Sequence, residues 1–474
     1  MGNPRHDGGI SGGTQSFHPK KHYAGHCCPV NLTLGPASDG DFSYQELLPS
    51  IFPLAYKGEN PYSGKIVKIL NDLPRNTRNC LVVEPLWALF GGVIVYFAPL
   101  YMRDLGLTDV EMGLVNSAGL LFSFFFYILA GPMTNKFGRH LTSLLWDILS
   151  WSVSMVIWAF AQNFVWFLVA ALFNSAVRVV MVSWNLLLTE DAREDQRVKV
   201  YGIVNLIGSA GGFVTLAAGL LLSHFGVVPT MRVTYLLGAV FMTTMFFLRY
   251  FWTTETENGA RIKEKYRSVS LRKLIVDQVV SLVQASKDKH FLVLTLIFLI
   301  ATAVQSFTFF QILYLKDNLG YTTAELSIVP AVNSLISILL LFFALPRVPK
   351  NAERWGLLAG FGVCAAGGLA FLFLGPSMLF LVLFIQGLSA AAFLLLSTYR
   401  DSVFMNSVLE EKKAELFGLV NMLSMLLSIP TGWLAGWLFS VNPLAPFVTL
   451  VVLFILGAIA TLRLARWHSK AVKT

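Results

Sequence analysis

Residues 100–112 read LYMRDLGLTDVEM, and residues 313–326 read LYLKDNLGYTTAEL. Leu-Tyr, a basic residue, Asp, Leu-Gly, Thr and Glu return in order 213 positions later, with Asn318 inserted. In both copies a Thr stands three residues before a Glu: Thr108 before Glu111, and Thr322 before Glu325. At that spacing a helix-capping hydroxyl and a carboxylate can each satisfy a free backbone N–H at the start of a helix. Each copy therefore predicts one helix ending at the basic-Asp-Leu-Gly turn and another starting at the Thr. A second pair agrees: YGIVNLIGSAGG starts at Tyr201, and FGLVNMLSMLLS starts 216 positions later at Phe417, which makes Asn205 and Asn421 equivalent. The chain is written as two halves of the same sense. The equivalence suits Asn205 and Asn421 to packing or gating rather than to solute choice.

The flanks of the repeated loop say what kind of helices these are. Hydrophobic residues make up 55% of the chain and charged ones 13%, where soluble domains carry about 25% charged residues. Mean hydropathy is +0.63. Twelve stretches approach the roughly 20 apolar residues that cross a bilayer: 85–103, 111–132, 141–161, 163–188, 202–223, 231–251, 289–313, 323–345, 354–374, 376–399, 414–438 and 444–465. Six precede the polar break at 252–288 and six follow it. The expected fold class is an all-α integral membrane protein with twelve transmembrane helices in two parallel six-helix repeats. Its expected organisation is a polar tail (1–80), a first bundle (81–251), a linker (252–288), a second bundle (289–467) and a short tail (468–474).

A net charge of +9 in a soluble chain would suggest nucleic acid. In a polytopic protein it reflects Lys and Arg gathered on cytoplasmic loops. With both termini cytoplasmic, 32 of the 36 basic residues fall on cytoplasmic segments. Arg103, Arg232 and Lys316 fall outside, and Arg178 lies within a span. The chain is thus expected in the cell membrane (plasma or inner), with the bilayer as its surroundings and no nucleic-acid partner. Cys27, Cys28, Cys80 and Cys364 do not make a disulfide framework. Cys80, beside the first span, reads as a buried or free thiol, with acylation as the alternative. The tail has no secretory signal and too little apolar surface in its first part to fold alone. Its His18, His22, His26, Cys27 and Cys28 read as a chance cluster, so no metal and no cofactor are expected. Within the linker, Leu271, Leu274, Ile275, Val279, Leu282 and Val283 recur at helical spacing between polar residues. This predicts an amphipathic helix, lying on the inner membrane surface or docked on the protein.

GPMTNKFGRH, residues 131–140, resembles the signature of the major facilitator superfamily, Gly-x-x-x-Asp-Arg/Lys-x-Gly-Arg/Lys between spans two and three. Gly131, Lys136, Gly138 and Arg139 fit it, and Asn135 stands at the acidic position. With the duplicated halves and the central linker, the resemblance covers residues 81–467. It implies two six-helix bundles around a central cavity and a secondary transporter, expected as a monomer, that moves a small organic solute by alternating access. It also implies a cytoplasmic latch in which Lys136 and Arg139 face Glu190 and Asp191. Asn135 forfeits the negative charge that the family sets near the start of span eleven, which implies a weaker latch. IQGLSAAAF, residues 385–393, resembles the family's span-four pattern. Span five lacks the Gly-Pro pairing linked to many antiporters.

Charged side chains deep in a bilayer are costly and mark function by default. Asp147 in span three and Arg178 in span four qualify, at heights within reach of one another. They read either as a structural salt bridge, or as a proton-sensitive pair or an anion-binding Arg at the cavity wall. Glu84, before Pro85, reads as a helix cap or interfacial anchor. Spans one, four, seven and ten line the cavity in the family, which points to Tyr96, Asn174, Gln305, Gln311 and Gln386. Asn185 and Asn333 belong to the wider polar set. Protons are the candidate coupling ion through Asp147, with facilitated diffusion as the alternative. The chain has no Gly-x-x-x-x-Gly-Lys-Ser/Thr loop, so ATP-driven transport is unsupported, and no catalytic residue is assigned. Two other classes compete: a non-transporting sensor or scaffold that uses the tail, and a membrane-embedded enzyme. The second is disfavoured because the repeated Asp104/Asp317 and Glu111/Glu325 look architectural.

Overall fold

The computed structural model describes residues 70–343, 353–407 and 413–471. Most of the polar tail, including the His/Cys cluster, lies outside them. Among the described residues eleven helices are long and apolar enough to cross a membrane. Spans one to six are Pro85–Asp104, Asp109–Phe137, Arg139–Ala159, Phe164–Thr189, Lys199–Phe225 and Val227–Trp252. Spans seven and eight are Phe291–Asn318 and Thr323–Phe343, and spans ten to twelve are Leu379–Phe404, Leu416–Val441 and Ala445–Leu462. Span nine is the helix Glu353–Phe371, whose apolar part, Trp355–Phe371, is shorter.

The repeated loop forms the same structure twice. Thr108 Oγ accepts from Glu111 N at 3.3 Å, and Glu111 Oε2 accepts from Thr108 N at 2.8 Å. Thr322 and Glu325 repeat both bonds at the same distances. Gly106 and Gly320 take φ of 85° and 76° in the two turns, a left-handed conformation that only glycine adopts without strain. The two loops also bridge each other reciprocally: Arg103 Nε lies 3.6 Å from Asp317 Oδ2, and Lys316 Nζ lies 3.7 Å from Asp104 Oδ1. Each basic residue of one copy meets the Asp of the other.

These loops mark one face of the molecule, the hairpin side; the linker between spans six and seven marks the opposite one. Near the hairpin side the halves pack backbone to backbone. A Cβ on Gly113 of span two would lie 2.6 Å from the Gly432 carbonyl oxygen of span eleven. Ser117 Oγ donates to Ile429 O at 2.6 Å and accepts from Trp433 N at 2.7 Å, occupying a rung of span eleven's own ladder beside Pro430. Spans five and eight pack likewise, Thr215 Oγ1 donating to Ser327 O at 2.9 Å. Tyr96 of span one donates to Leu326 O at 2.8 Å. Among the described residues, the side-chain hydrogen bonds and ion pairs that join the halves all lie between the hairpin ends and the middle of the spans.

Ahead of span one, the helix Arg75–Val83 packs under the first half. Cys80 on it is buried, and that burial pushes its thiol up to about 12. A thiol so placed is closed to acylation. The linker forms two helices, Glu257–Tyr266 and Leu271–Ala285. The second sets Leu282 into the core and leaves Val276, Val279, Val280 and Val283 exposed, so it is docked on the protein along one side and apolar on another.

Candidate functional site

Three constellations bear on function. The first is the turn between spans two and three. Gly138 takes φ 89°, and its bare Cα leaves room for the Glu255 carboxylate. That carboxylate accepts from the backbone N–H of Arg139 at 3.0 Å and of His140 at 3.3 Å. The Arg139 side chain is buried and donates twice to Glu190, at 3.1 and 2.9 Å. Asn258 adds a bond to Glu190 at 2.9 Å and Thr256 another at 2.5 Å. Burial pushes the Glu190 carboxyl up, but the bonds from Arg139, Thr256 and Asn258 and the Arg139 charge outweigh it, so the net shift is downward. A depressed carboxylate keeps its contribution at neutral pH and loses it as pH falls through its folded pKa.

Two expectations for this turn need correction. Lys136 does not meet Glu190 or Asp191; its Nζ donates to Val269 O at 2.5 Å and Arg267 O at 3.4 Å. It sits two residues before Gly138, beside the carbonyl end of the first linker helix, where a cation is favoured. Asp191 accepts from Asn76 Nδ2 at 2.8 Å. The first residues of the linker supply the partners that the spacing of the signature could not show. Gly131, whose added Cβ would come only within 3.7 Å of Gln278, and half-buried Asn135 complete the turn.

The second constellation corrects a pairing. Asp147 is bound by Arg249 of span six, not by Arg178. Ser143 Oγ donates to Asp147 Oδ2 at 3.3 Å and accepts from Arg249 Nη2 at 3.1 Å. The two charged side chains are 3% and 4% exposed, which leaves no room for water to share the charge. The chain winds as a π-helix over Ile148–Val153, directly after Asp147, a feature frequent at functional sites. The pair lies between spans three and six, which pack on first-half elements.

Glu84 stands nearby, immediately before span one, and it does not cap the helix: its backbone is already helical and its side chain makes no capping bond. The reason is that Arg75–Val83 runs almost directly into span one, so no free turn exists to cap. Glu84 Oε2 is buried without a hydrogen-bond partner. Burial raises its carboxyl from 4.5 to about 7, against a smaller downward pull from Arg249. A raised carboxylate stabilises the fold below its unfolded pKa, and that contribution is lost as pH rises through the folded one. Wild-type protein should therefore unfold at lower temperature at pH 8 than at pH 5, and Glu84→Gln should remove this difference. Equal pH dependence in the two proteins would show that the carboxyl is solvated.

The third constellation is a cavity of about 240 Å³ in the second half, near the lower limit of ligand sites at roughly 300 Å³. Spans seven, eight, nine, ten and twelve enclose it. Gln305, Gln311 and Gln386 converge there with Asn333, Thr308 and Ser389, among Phe371, Phe393, Phe447 and Phe454. Asn333 Oδ1 is buried without a partner. The two remaining candidates lie elsewhere: Tyr96 joins the halves, and Asn174 donates to Ser150 O of span three at 3.0 Å. Arg178 donates to Ser123 Oγ of span two at 3.2 Å, and its guanidinium carbon lies 5.8 Å from the Tyr127 ring centroid. Ser389 and Thr308 escaped the sequence reading, since hydroxyls on apolar helices mostly bond their own backbone.

The family profile described as Major Facilitator Superfamily matches residues 86–429. No curated protein sequence matches the chain. Solved structures of similar fold include a point mutant of the nucleoside transporter NupG, at TM-score 0.65 and 13% identity, covering 82% of this chain and 99% of that one. A bacterial homologue of the human lysosomal transporter Spinster, inward-facing and occupied, aligns at TM-score 0.57 and 16% identity over 86% and 98%. The POT family transporter PepTSo aligns at 0.60 and 12% over 84% and 98%. At these identities the likeness speaks to the fold alone.

Proposed function

The chain belongs to the major facilitator superfamily, and from that premise we propose that it moves a small organic solute across a cell membrane by alternating access. The observation that carries the reading is the closed hairpin side, where two copies of one loop bridge each other through reciprocal ion pairs. The four side chains are 29–41% exposed, and exposed pairs of this kind contribute about 0–1 kcal/mol each. Such a closure is specific yet cheap to open. The Arg139–Glu190 cluster stands at the linker side within the first half and the start of the linker, where it ties the linker to the first bundle. With the hairpin side outside, as the distribution of basic residues favours, the side closed by these ion pairs is the outer one. The domain plan follows: bundles 81–251 and 289–467, joined by the linker 252–288, rock about a solute between them.

Asp147 is a poor proton carrier for this cycle. It is buried against Arg249 on the side away from the second half, and proton uptake would strand the guanidinium. Facilitated diffusion fits the described residues better.

The reading is tested by a lock. Arg103→Cys and Asp317→Cys are combined, with Cys27 and Cys28 changed to Ser, and the protein is reconstituted in vesicles. Flux is followed with a radiolabelled panel of sugars, nucleosides, dipeptides and organic acids. A short bis-methanethiosulfonate cross-linker, each end forming a disulfide with one cysteine as methanesulfinate leaves, should abolish flux of any transported member, and reductant should restore it. Flux that persists through the cross-link would sink alternating access at this face.

A further inference from the structure

Arg178 lies fourteen residues from the hairpin end of span four and eleven from its linker end, close to the middle of the membrane. A charge at that depth costs several kcal/mol unless something compensates it. Its neighbours are Ser123 Oγ, the Tyr127 ring and Met181 Sδ at 3.3 Å, none of which carries a negative charge. Arg103, Arg139, Arg249 and Arg400 each have a carboxylate partner; Arg178 has none among the described residues.

The face of span four that bears Arg178 is fixed by its neighbours. Ser175 Oγ donates to Gly119 O of span two. Asn185 Oδ1 accepts from Tyr201 of span five at 2.8 Å. Span two contacts span eleven, and span five contacts span eight. The strip running through Arg178, Met181 and Asn185 thus lies between spans two and five and looks toward the second half. Met181 on it is 48% exposed. The cavity in the second half presents amides and hydroxyls and is lined by no carboxylate. Arg178 therefore stands on that strip as a positive charge with no carboxylate partner among the described residues, and the second-half cavity supplies none.

We propose that the solute is a small organic anion, a carboxylate or phosphate monoester on a hydroxyl- or amide-rich body. Arg178 takes the acid group through its planar pair of N–H donors, which match carboxylate and phosphate oxygens. Gln386, Gln305 and Asn333 take the body, with the free Asn333 Oδ1 accepting from a hydroxyl. The solute supplies the missing counter-charge, so that binding and compensation of the mid-membrane cation are one event. This inference rests on the reading that a solute occupies the space between the halves.

The test uses full-length protein in nanodiscs and in vesicles. Hydroxy-carboxylates and sugar phosphates of three to six carbons are titrated, each beside its uncharged counterpart, such as gluconate and glucose 6-phosphate beside glucose. At least one acid should bind, with its uncharged counterpart at least about tenfold weaker, the equivalent of roughly 1.4 kcal/mol. The carboxylate and phosphate arms identify the acid group. Arg178→Gln should weaken that acid by at least about tenfold, and Arg178→Lys, which keeps the charge, by less. Unliganded unfolding temperatures confirm that both variants fold. The proposal is overturned if no acid binds, if the uncharged counterpart binds equally well, or if Arg178→Gln leaves the affinity unchanged. Flux separates it from the transport reading. Uptake of an uncharged solute insensitive to Arg178→Gln would keep transport and overturn the anion. Binding of an acid without flux would support the anion site and count against transport.

Discussion

Arg249→Met is expected to destabilise the protein by about 3–5 kcal/mol, because it leaves the Asp147 carboxylate buried and unpaired. Asp147→Leu should cost a similar amount by stranding the guanidinium. The informative variant is the double one. Removing both charges removes both desolvation penalties, and buried ion pairs replaced by apolar residues are often neutral or stabilised by about 1–4 kcal/mol. The double variant should therefore unfold at or above the wild-type temperature, and the cycle should show strong coupling between the two positions. Thermal unfolding in detergent with an intrinsic-fluorescence readout measures it. A single variant as stable as wild type would mean that the pair is solvated. The same double variant tests the coupling ion. If Asp147 carries no proton during transport, flux and its pH profile survive the removal of both charges.

The reach of the sequence reading divides at this pair. What depends on local order was legible: the spans, the break between six and six, and the two Thr-x-x-Glu caps, because helix length, apolar content and capping are written within a few residues. Which face a helix turns toward which neighbour is not local. Arg178 and Asp147 lie at compatible heights, yet span four is rotated so that Arg178 reaches span two. Arg249 lies three residues from the end of span six and so counts among the cytoplasmic basic residues, although its side chain extends inward to Asp147. Glu255, Thr256 and Asn258 were missed for a related reason. They sit in a charge-rich linker where no pattern distinguishes a residue that holds the span-two turn from one that faces water. The second-half cavity was partly visible. Gln305, Gln311 and Gln386 stand out on apolar helices, whereas the walls that close around them depend on how five helices meet.

The contact of spans two and eleven leads to the other large effect. In an exposed helix Gly→Ala stabilises by about 0.5–1 kcal/mol, by restricting the unfolded chain. Gly113→Ala should do the reverse. Its new methyl would lie 2.6 Å from the Gly432 carbonyl oxygen and 3.0 Å from Gly436 Cα, and backbone atoms cannot swing aside as a side chain would. Overpacking of this kind costs about 1–3 kcal/mol, and here the cost falls only on the state in which the hairpin side is closed. A free energy of that size shifts a two-state balance by roughly 5–150-fold, toward opening at the hairpin side. Ser327→Cys reports it, since Ser327 is 2% exposed at the span-five and span-eight contact. With Cys27 and Cys28 replaced and Cys80 and Cys364 buried, a membrane-impermeant maleimide should label that cysteine faster in Gly113→Ala. Gly119→Ala is the control. It lies on the same helix, and its added methyl meets nothing within 4 Å, so labelling should stay at the parent rate. Equal rates for the two variants would mean that spans two and eleven do not part when the hairpin side opens. The bundles would then have to pivot about that contact rather than separate across it.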